Sequence, residues 1–283
     1  MKKTVTKAFA KINLSLDVLG KLENGYHEVQ MVMQTVSVFD LVTVERTESG
    51  IELTTNLPYL PTDSGNIAYK AAEAFFNHTK IKGGVKIDIS KRIPVGAGLA
   101  GGSSNASAVL KAMNKLFDAG LSLKELCAIG VNLGADVPYC ILGGTRLAEG
   151  IGEKLSPLPK IPKCSIILVK PAFSISTKTV YEKIDSCSDF KRPETQNLIE
   201  GLHEGNLNKI VSSMGNVLEE VSIPEHPILQ NVKKELVELG AIGTQMSGSG
   251  PTVFGIFTDH DLACEAKKKL WGKYKTVYIC NPV

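Results

Sequence analysis

Between residues 5 and 19, Ala8, Ala10, Ile12, Leu14, Leu16 and Val18 fall on one face of an extended chain, and Lys7, Phe9, Lys11, Asn13, Ser15 and Asp17 fall on the other. This period of two predicts a half-buried strand with a polar face, on which Lys11 and Asn13 stand side by side. KLENGYHE then carries an Asn-Gly turn signal, and further strands are expected near 29–38, 40–47 and 51–54. Residues 65–78 read as a helix and 85–93 as a strand. Ala106, Val109, Leu110, Met113 and Phe117 recur at helical spacing within 103–117, and a second helix pattern covers 122–133. SPLPKIP, residues 156–162, packs three prolines into seven residues and marks a candidate boundary between domains 1–158 and 159–283. Beyond it lie a strand (CSIILVK), helical patterns over 179–240, a strand at 252–257, a helix at 260–271 and a last strand, KTVYIC. Antiparallel strands mixed with helices, without regular alternation, read as an α+β fold.

Composition narrows the function classes. The 283 residues are 43% hydrophobic and 22% charged, with a formal net charge of +3, which argues for neither a nucleic-acid nor a membrane partner. No apolar run approaches the ~20 residues of a membrane helix. The basic start, MKKTVTKAFAKINLSL, is interrupted by Lys11 and Asn13 and lacks a small-residue cleavage site, so a cytoplasmic protein is expected. Six dispersed cysteines form no CxxC pair and read as buried reduced thiols, and the five scattered histidines form no metal constellation. The metal ligands, if any, are unknown at this point.

PVGAGLAGGSSNAS, residues 94–107, contains G-x-G-x-x-G at Gly96, Gly98 and Gly101, between a strand-like and a helix-like run. A dinucleotide fingerprint would need a second strand and an acid about 20 residues on, but DAGLSLKELCAIGV after Asp118 is helical. A Walker A loop would need Lys-Ser/Thr after the glycines, and none follows. Four glycines in residues 96–102 allow close backbone approach to a ligand. Ser103, Ser104 and Asn105 open the helix, where N–H groups and the helix dipole favour phosphate. The bland alternative is a glycine-rich connection with a serine cap. LGADVPYC places Asp136 between an apolar helix and a Pro-marked turn, either as a hydrogen-bond acceptor at a helix end or as a carboxylate for proton transfer. GTQMSGSGPTVFG, residues 243–255, is a second Gly/Ser loop, and the two together suggest a polyanion pocket.

AFAKINLSLDVLG…GYHEV, PVGAGLAGGSSNAS, LGADVPY and MSGSGPTVFG, in that order, resemble the motifs of the GHMP kinases across nearly the whole chain. AKINL with GYHE points to the branch acting on 4-diphosphocytidyl-2-C-methyl-D-erythritol in the non-mevalonate isoprenoid pathway. The resemblance implies a ribosomal-S5-domain-2-like N-terminal lobe that binds ATP and a ferredoxin-like C-terminal lobe, with the active site in the cleft between them. It implies MgATP-dependent phosphorylation of the substrate's 2-hydroxyl, with Asp136 as base and Lys11 as its partner. Pro94, Val95, Gly96, Ala97, Gly98, Leu99, Ala100, Gly101, Gly102, Ser103 and Ser104 would wrap the ATP phosphates. Asn66, Ile67 and Lys91 match positions near the adenine. Asn13, Tyr26, His27 and Thr177 match substrate positions, and Tyr181 occupies an aromatic position that stacks the cytosine. Some relatives carry glycine where this loop has Ala97 or Ala100, which reduces its backbone freedom slightly. Another GHMP kinase, of mevalonate or homoserine type, and a non-catalytic nucleotide-binding sensor remain alternatives; a monomer or homodimer fits either.

Overall fold

A computed structural model describes residues 2–187 and 190–283. In chain order the first elements are β1 (Lys3–Lys21), β2 (His27–Thr47), β3 (Gly50–Thr55), α1 (Ile67–Thr79), β4 (Gly84–Ser90), α2 (Gly101–Leu116), α3 (Leu123–Val131) and α4 (Asp136–Leu142). Then come β5 (Thr145–Glu149), β6 (Lys154–Pro157), β7 (Ser165–Val169), α5 (Thr177–Ile184), α6 (Thr195–Glu204), α7 (Leu207–Ser212) and β8 (Gly215–Asn216). The chain ends with α8 (Glu219–Glu225), α9 (Ile228–Glu238), β9 (Gly243–Met246), β10 (Val253–Phe257), α10 (His260–Trp271) and β11 (Val277–Cys280). It divides into two compact units, each discontinuous in sequence.

The first unit comprises the chain up to Ala10, Val38–Ile93 and Ala100–Gly143. Here the C-terminal half of β2 pairs antiparallel with β4 from Leu41↔Ser90 to Thr47↔Gly84. β3 pairs parallel with the same β4 from Gly50↔Gly84 to Thr55↔Ile89. Two parallel neighbours need a crossover, and α1 supplies it, so one parallel β3-α1-β4 unit joins the antiparallel strands expected of the α+β fold. Val42, Val44, Ile87 and Ile89 from the strands meet Ala71, Phe75, Val109, Met113, Ile129 and Val137 from α1 to α4 in one core. The strands expected at 29–38 and 40–47 are the single strand β2. Asp40, the residue that interrupts the apolar pattern, is itself buried on the face shared with Val42 and Val44.

The second unit holds Lys11–Ser37, Pro94–Leu99 and Gly144–Val283. β5 pairs with the N-terminal half of β2, from Met31↔Ala148 to Gln34↔Thr145, and forms a hairpin with β6. β1 pairs in parallel with the short β8 at Ser15↔Gly215. A separate four-stranded sheet runs β11-β7-β10-β9, antiparallel throughout. Numbered within this sheet the order is 4-1-3-2, the ferredoxin-like arrangement. SIILV and VFGIF are buried at every position, as strands covered on both faces must be. α9 approaches β10 closely at Gly255, where an added Cβ would stand 3.2 Å from Leu236 Cδ2.

No helix among the described residues is long and apolar enough to cross a membrane. All six cysteines are free, but only Cys164 and Cys280 are buried, and Cys127, Cys140, Cys187 and Cys264 are half-buried, so buried thiols describe a minority. Burial pushes the Cys164 thiol up to about 11 and Cys280 higher still, which makes both inert as nucleophiles.

Candidate functional site

The glycine-rich segment is anchored before it is shaped. On its N-terminal side, Arg92 and Ile93 donate their backbone N–H groups to Asp40 Oδ1, at 2.6 and 2.8 Å. Lys91 Nζ and Asn105 Nδ2 donate to Asp40 Oδ2, at 2.5 and 2.8 Å. Asn105 belongs to α2, so one carboxylate on β2 ties down the chain on both sides of Pro94–Ser104. Ser104 Oγ adds a bond to the Phe9 carbonyl, at 2.7 Å. The Lys91 ammonium also donates to Asn105 Oδ1, 3.0 Å away.

Between these anchors Gly96, Gly98 and Ala100 adopt positive φ values of 59°, 74° and 54°. Ala100 carries its methyl in a conformation that costs an L-residue roughly 1–2 kcal/mol. It is the N-cap of the 16-residue α2, whose first turn has no side-chain cap. The serine-cap reading of this segment therefore fails: Ser104 is spent on Phe9, and no side chain caps the first amides of α2. Asn66 caps α1 by accepting from Ala68 N at 3.0 Å, while its own amide donates to the Pro61 carbonyl. Beside it, Ile67 lies against Gly102 and Gly134. Asn66, Ile67, Gly101, Gly102, Ser103 and Lys91 are thus gathered around the start of α2.

Asp136 lies at the first position of α4, where the sequence suggested only a Pro-marked turn. Pro138 fits there because a first-turn N–H has no intrahelical partner to lose. The far end of this short helix is held by Lys111, whose Nζ donates to the Cys140 and Ile141 carbonyls at 3.2 and 3.4 Å. Burial holds the Lys111 ammonium below its usual pKa range.

In the second unit, Lys11 is only 5% exposed, so an ordinary solvated lysine is excluded. Its Nζ donates to Asn13 Oδ1 at 2.7 Å, and its backbone N–H donates to the Leu99 carbonyl at 3.2 Å. The two Gly/Ser loops meet here, as the sequence suggested. Ser247 Oγ donates to the Gly98 carbonyl at 3.0 Å, and Gly248 lies beside Lys11 Nζ. The second loop is the turn of the β9–β10 hairpin. Its Ser249 hydroxyl pairs with Thr177 Oγ1 at 2.8 Å, at the start of α5. One turn further on α5, the Tyr181 ring lies 5.0 Å from the His27 imidazole. Tyr26 stands 58% exposed on the turn between β1 and β2.

Gly98 is the tightest point, since an added Cβ would stand 2.1 Å from the Ser247 carbonyl oxygen. Gly25 has a similar φ of 83° with nothing within 4 Å, so it isolates the backbone term. Gly25→Ala is expected to cost roughly 1–2 kcal/mol from left-handed strain alone. Gly98→Ala should cost clearly more, and denaturant unfolding of the two variants measures the difference. Equal losses would mean that the two loops are not in contact.

Asp40, Asn105, Asp185, Ser247 and Ser249 were not singled out as site residues from the sequence. The MSGSGPT loop signalled Ser247 and Ser249, and the glycine-rich motif signalled Asn105 at the helix opening; Asp40 and Asp185 had no signal.

Family models describing the GHMP kinases N-terminal and C-terminal domains match residues 66–144 and 198–275. A 4-diphosphocytidyl-2-C-methyl-D-erythritol kinase from Alkaliphilus oremlandii is 51% identical, over 99% of this chain and 96% of that relative. The kinase of the same name from Lachnospira eligens is 48% identical over 96% of each. A crystal structure of 4-(cytidine 5'-diphospho)-2C-methyl-D-erythritol kinase superposes with a TM-score of 0.84 at 33% identity, covering 99% of each chain. A homoserine kinase from Cytophaga hutchinsonii reaches 0.80 at 20% identity over 99% of this chain and 94% of its own, which is a likeness of fold alone.

Proposed function

Because the chain belongs to the GHMP kinase family, we propose that it transfers the γ-phosphoryl group of MgATP to the 2-hydroxyl of 4-diphosphocytidyl-2-C-methyl-D-erythritol. The observation that carries this reading is 48–51% identity, over nearly the whole chain, to enzymes bearing that substrate's name. The uncapped first turn of α2 and the positive-φ loop before it support ATP as donor, since backbone N–H groups and the helix dipole suit phosphate.

An alcohol attacks poorly while it keeps its proton. Asp136 accepts that proton from the 2-hydroxyl oxygen as the oxygen attacks the γ-phosphorus and the bond to the bridging oxygen breaks, releasing ADP. Lys11, buried and oriented by Asn13, supplies positive charge for the reacting oxygens. Pro94–Ser104 fixes the triphosphate, with Asn66, Ile67 and Lys91 on the nucleotide side. Asn13, Tyr26, His27, Thr177 and Tyr181 hold the cytidyl substrate. In this reading residues 1–158 form the ATP-binding lobe and 159–283 the C-terminal lobe. Mg²⁺ usually binds through one or two carboxylates plus substrate phosphates rather than an all-protein cage. Among the described residues no group of three His, Cys, Asp or Glu side chains forms such a cage, so the donor set fits an ion that arrives on the nucleotide. When bound, it neutralises charge on the transferred group.

Incubation with MgATP and a panel of alcohols, read by mass spectrometry, tests the reading. One phosphoryl group should appear on the cytidyl substrate and on neither mevalonate nor homoserine. Phosphorylation of either of those in its stead would overturn the substrate assignment. ATP binding without any product would favour the sensor.

A further inference from the structure

Three elements of the second unit converge on the His27 imidazole. Its Nε2 lies 2.6 Å from Asp185 Oδ1, at the end of α5. The other carboxylate oxygen, Oδ2, accepts from Lys21 Nζ at the end of β1, at 2.5 Å. Tyr181, one helical turn before Asp185, packs its ring against the imidazole at an interplanar angle of 41°. His27 is only 8% exposed, so its ring is held rather than left to rotate in water.

The chemistry of the pair decides which ring nitrogen carries hydrogen. An ionised carboxylate only accepts hydrogen bonds, so the nitrogen facing it must donate. The hydrogen bond from Lys21, and after it the one from His27, keep the Asp185 carboxyl below the usual carboxylate range. The neutral imidazole therefore carries its proton on Nε2 and leaves a lone pair on Nδ1.

We propose that Asp185 is a positioning residue that locks His27 in the Nε2–H tautomer, so that Nδ1 is an acceptor and selects a base edge with an exocyclic amine over one with a carbonyl. The selection step rests on the reading of His27 as a substrate residue; the lock itself does not. A cytosine offers an N–H₂ group where a uracil offers an oxygen, and an acceptor facing that oxygen would be left unpaired. Sites built to hydrogen-bond a substrate group discriminate best when the wrong substrate leaves a partner unsatisfied. The competing account is that Lys21, His27 and Asp185 only tether α5 to the strands.

Asp185→Asn separates the two accounts. An asparagine amide can donate to Nε2, which permits the Nδ1–H tautomer and turns the acceptor into a donor. In the wild-type protein, ¹⁵N shifts of the labelled His27 imidazole should report Nε2–H at a pH where the ring is neutral; Nδ1–H would overturn the lock. With substrate, the cytidyl-over-uridyl ratio of kcat/KM should fall about tenfold or more in the variant. The KM for MgATP and the unfolding midpoint should hold, and Asp185→Glu should restore part of the ratio. Equal losses for both substrates, or no change in the ratio, would leave Asp185 as a tether and overturn the selection. If the wild type fails to phosphorylate the cytidyl substrate, the functional reading and the selection fall together, while the ¹⁵N shifts still decide the lock.

Discussion

Asp136→Asn is expected to slow turnover by roughly 10²- to 10⁴-fold, the range for losing a positioned general base. The substitution keeps the side chain's size. Val137 and Tyr139 anchor α4 in the interior, and Lys111 grips its last carbonyls. An asparagine at the first helical position disturbs none of these contacts, so the variant should melt near the parent's midpoint. Affinity for ATP should change little, because the phosphates are assigned to Pro94–Ser104. Phosphoryl transfer otherwise depends on positioning and charge neutralisation, so residual activity above the uncatalysed rate is expected. Single-turnover measurement with saturating MgATP reads the chemical step directly. Near-normal turnover in a folded variant would remove Asp136 from the mechanism.

What could be read in advance follows from how local each signal is. The period-two face of β1 and the helical spacing of α2 are properties of neighbouring residues, and both elements formed where the pattern put them. The polar face of β1, expected to be open, is buried too at Lys11, Asn13, Ser15 and Asp17. The glycine segment announced its special backbone, and three of its residues do adopt positive φ. Its meeting with MSGSGPT was suggested from composition and is made by Ser247 and Gly98. Strand direction is not a local property. Nothing in GIELTT indicates that it pairs parallel to a strand beyond α1. The short elements β5, β6, β8 and α4 carry too few residues to establish a period. Partners distant in sequence were invisible for the same reason: Asp185 meets a histidine 158 residues earlier. Asp40 is the instructive case, because the gap expected at residue 39 disappears and Asp40 lies inside the single strand β2. Burying a carboxylate is costly unless it is paired and hydrogen-bonded, and here donors distant in sequence satisfy it.

Those donors make Asp40→Ala the substitution with the largest expected cost to stability. Asp40 is fully buried and the Lys91 side chain is 5% exposed, so neither charge has water to fall back on. Removing one partner of a buried ion pair typically costs about 3–5 kcal/mol, because the other charge is left uncompensated. Against a total stability of roughly 5–15 kcal/mol, that is a large fraction. The loss also frees the N–H groups of Arg92 and Ile93 and the Asn105 amide, so the chain on both sides of Pro94–Ser104 should loosen. A second change distinguishes charge from hydrogen bonds. In Asp40→Ala with Lys91→Met the stranded ammonium is gone, and only the unpaired amides remain, at about 1–3 kcal/mol each. The double variant should therefore be more stable than Asp40→Ala alone, yet less stable than the parent, in equilibrium denaturant unfolding. A double variant no better than Asp40→Ala would show that the buried ammonium is not the source of the cost. A loss below about 1 kcal/mol for Asp40→Ala itself would overturn the pair as the anchor of this segment.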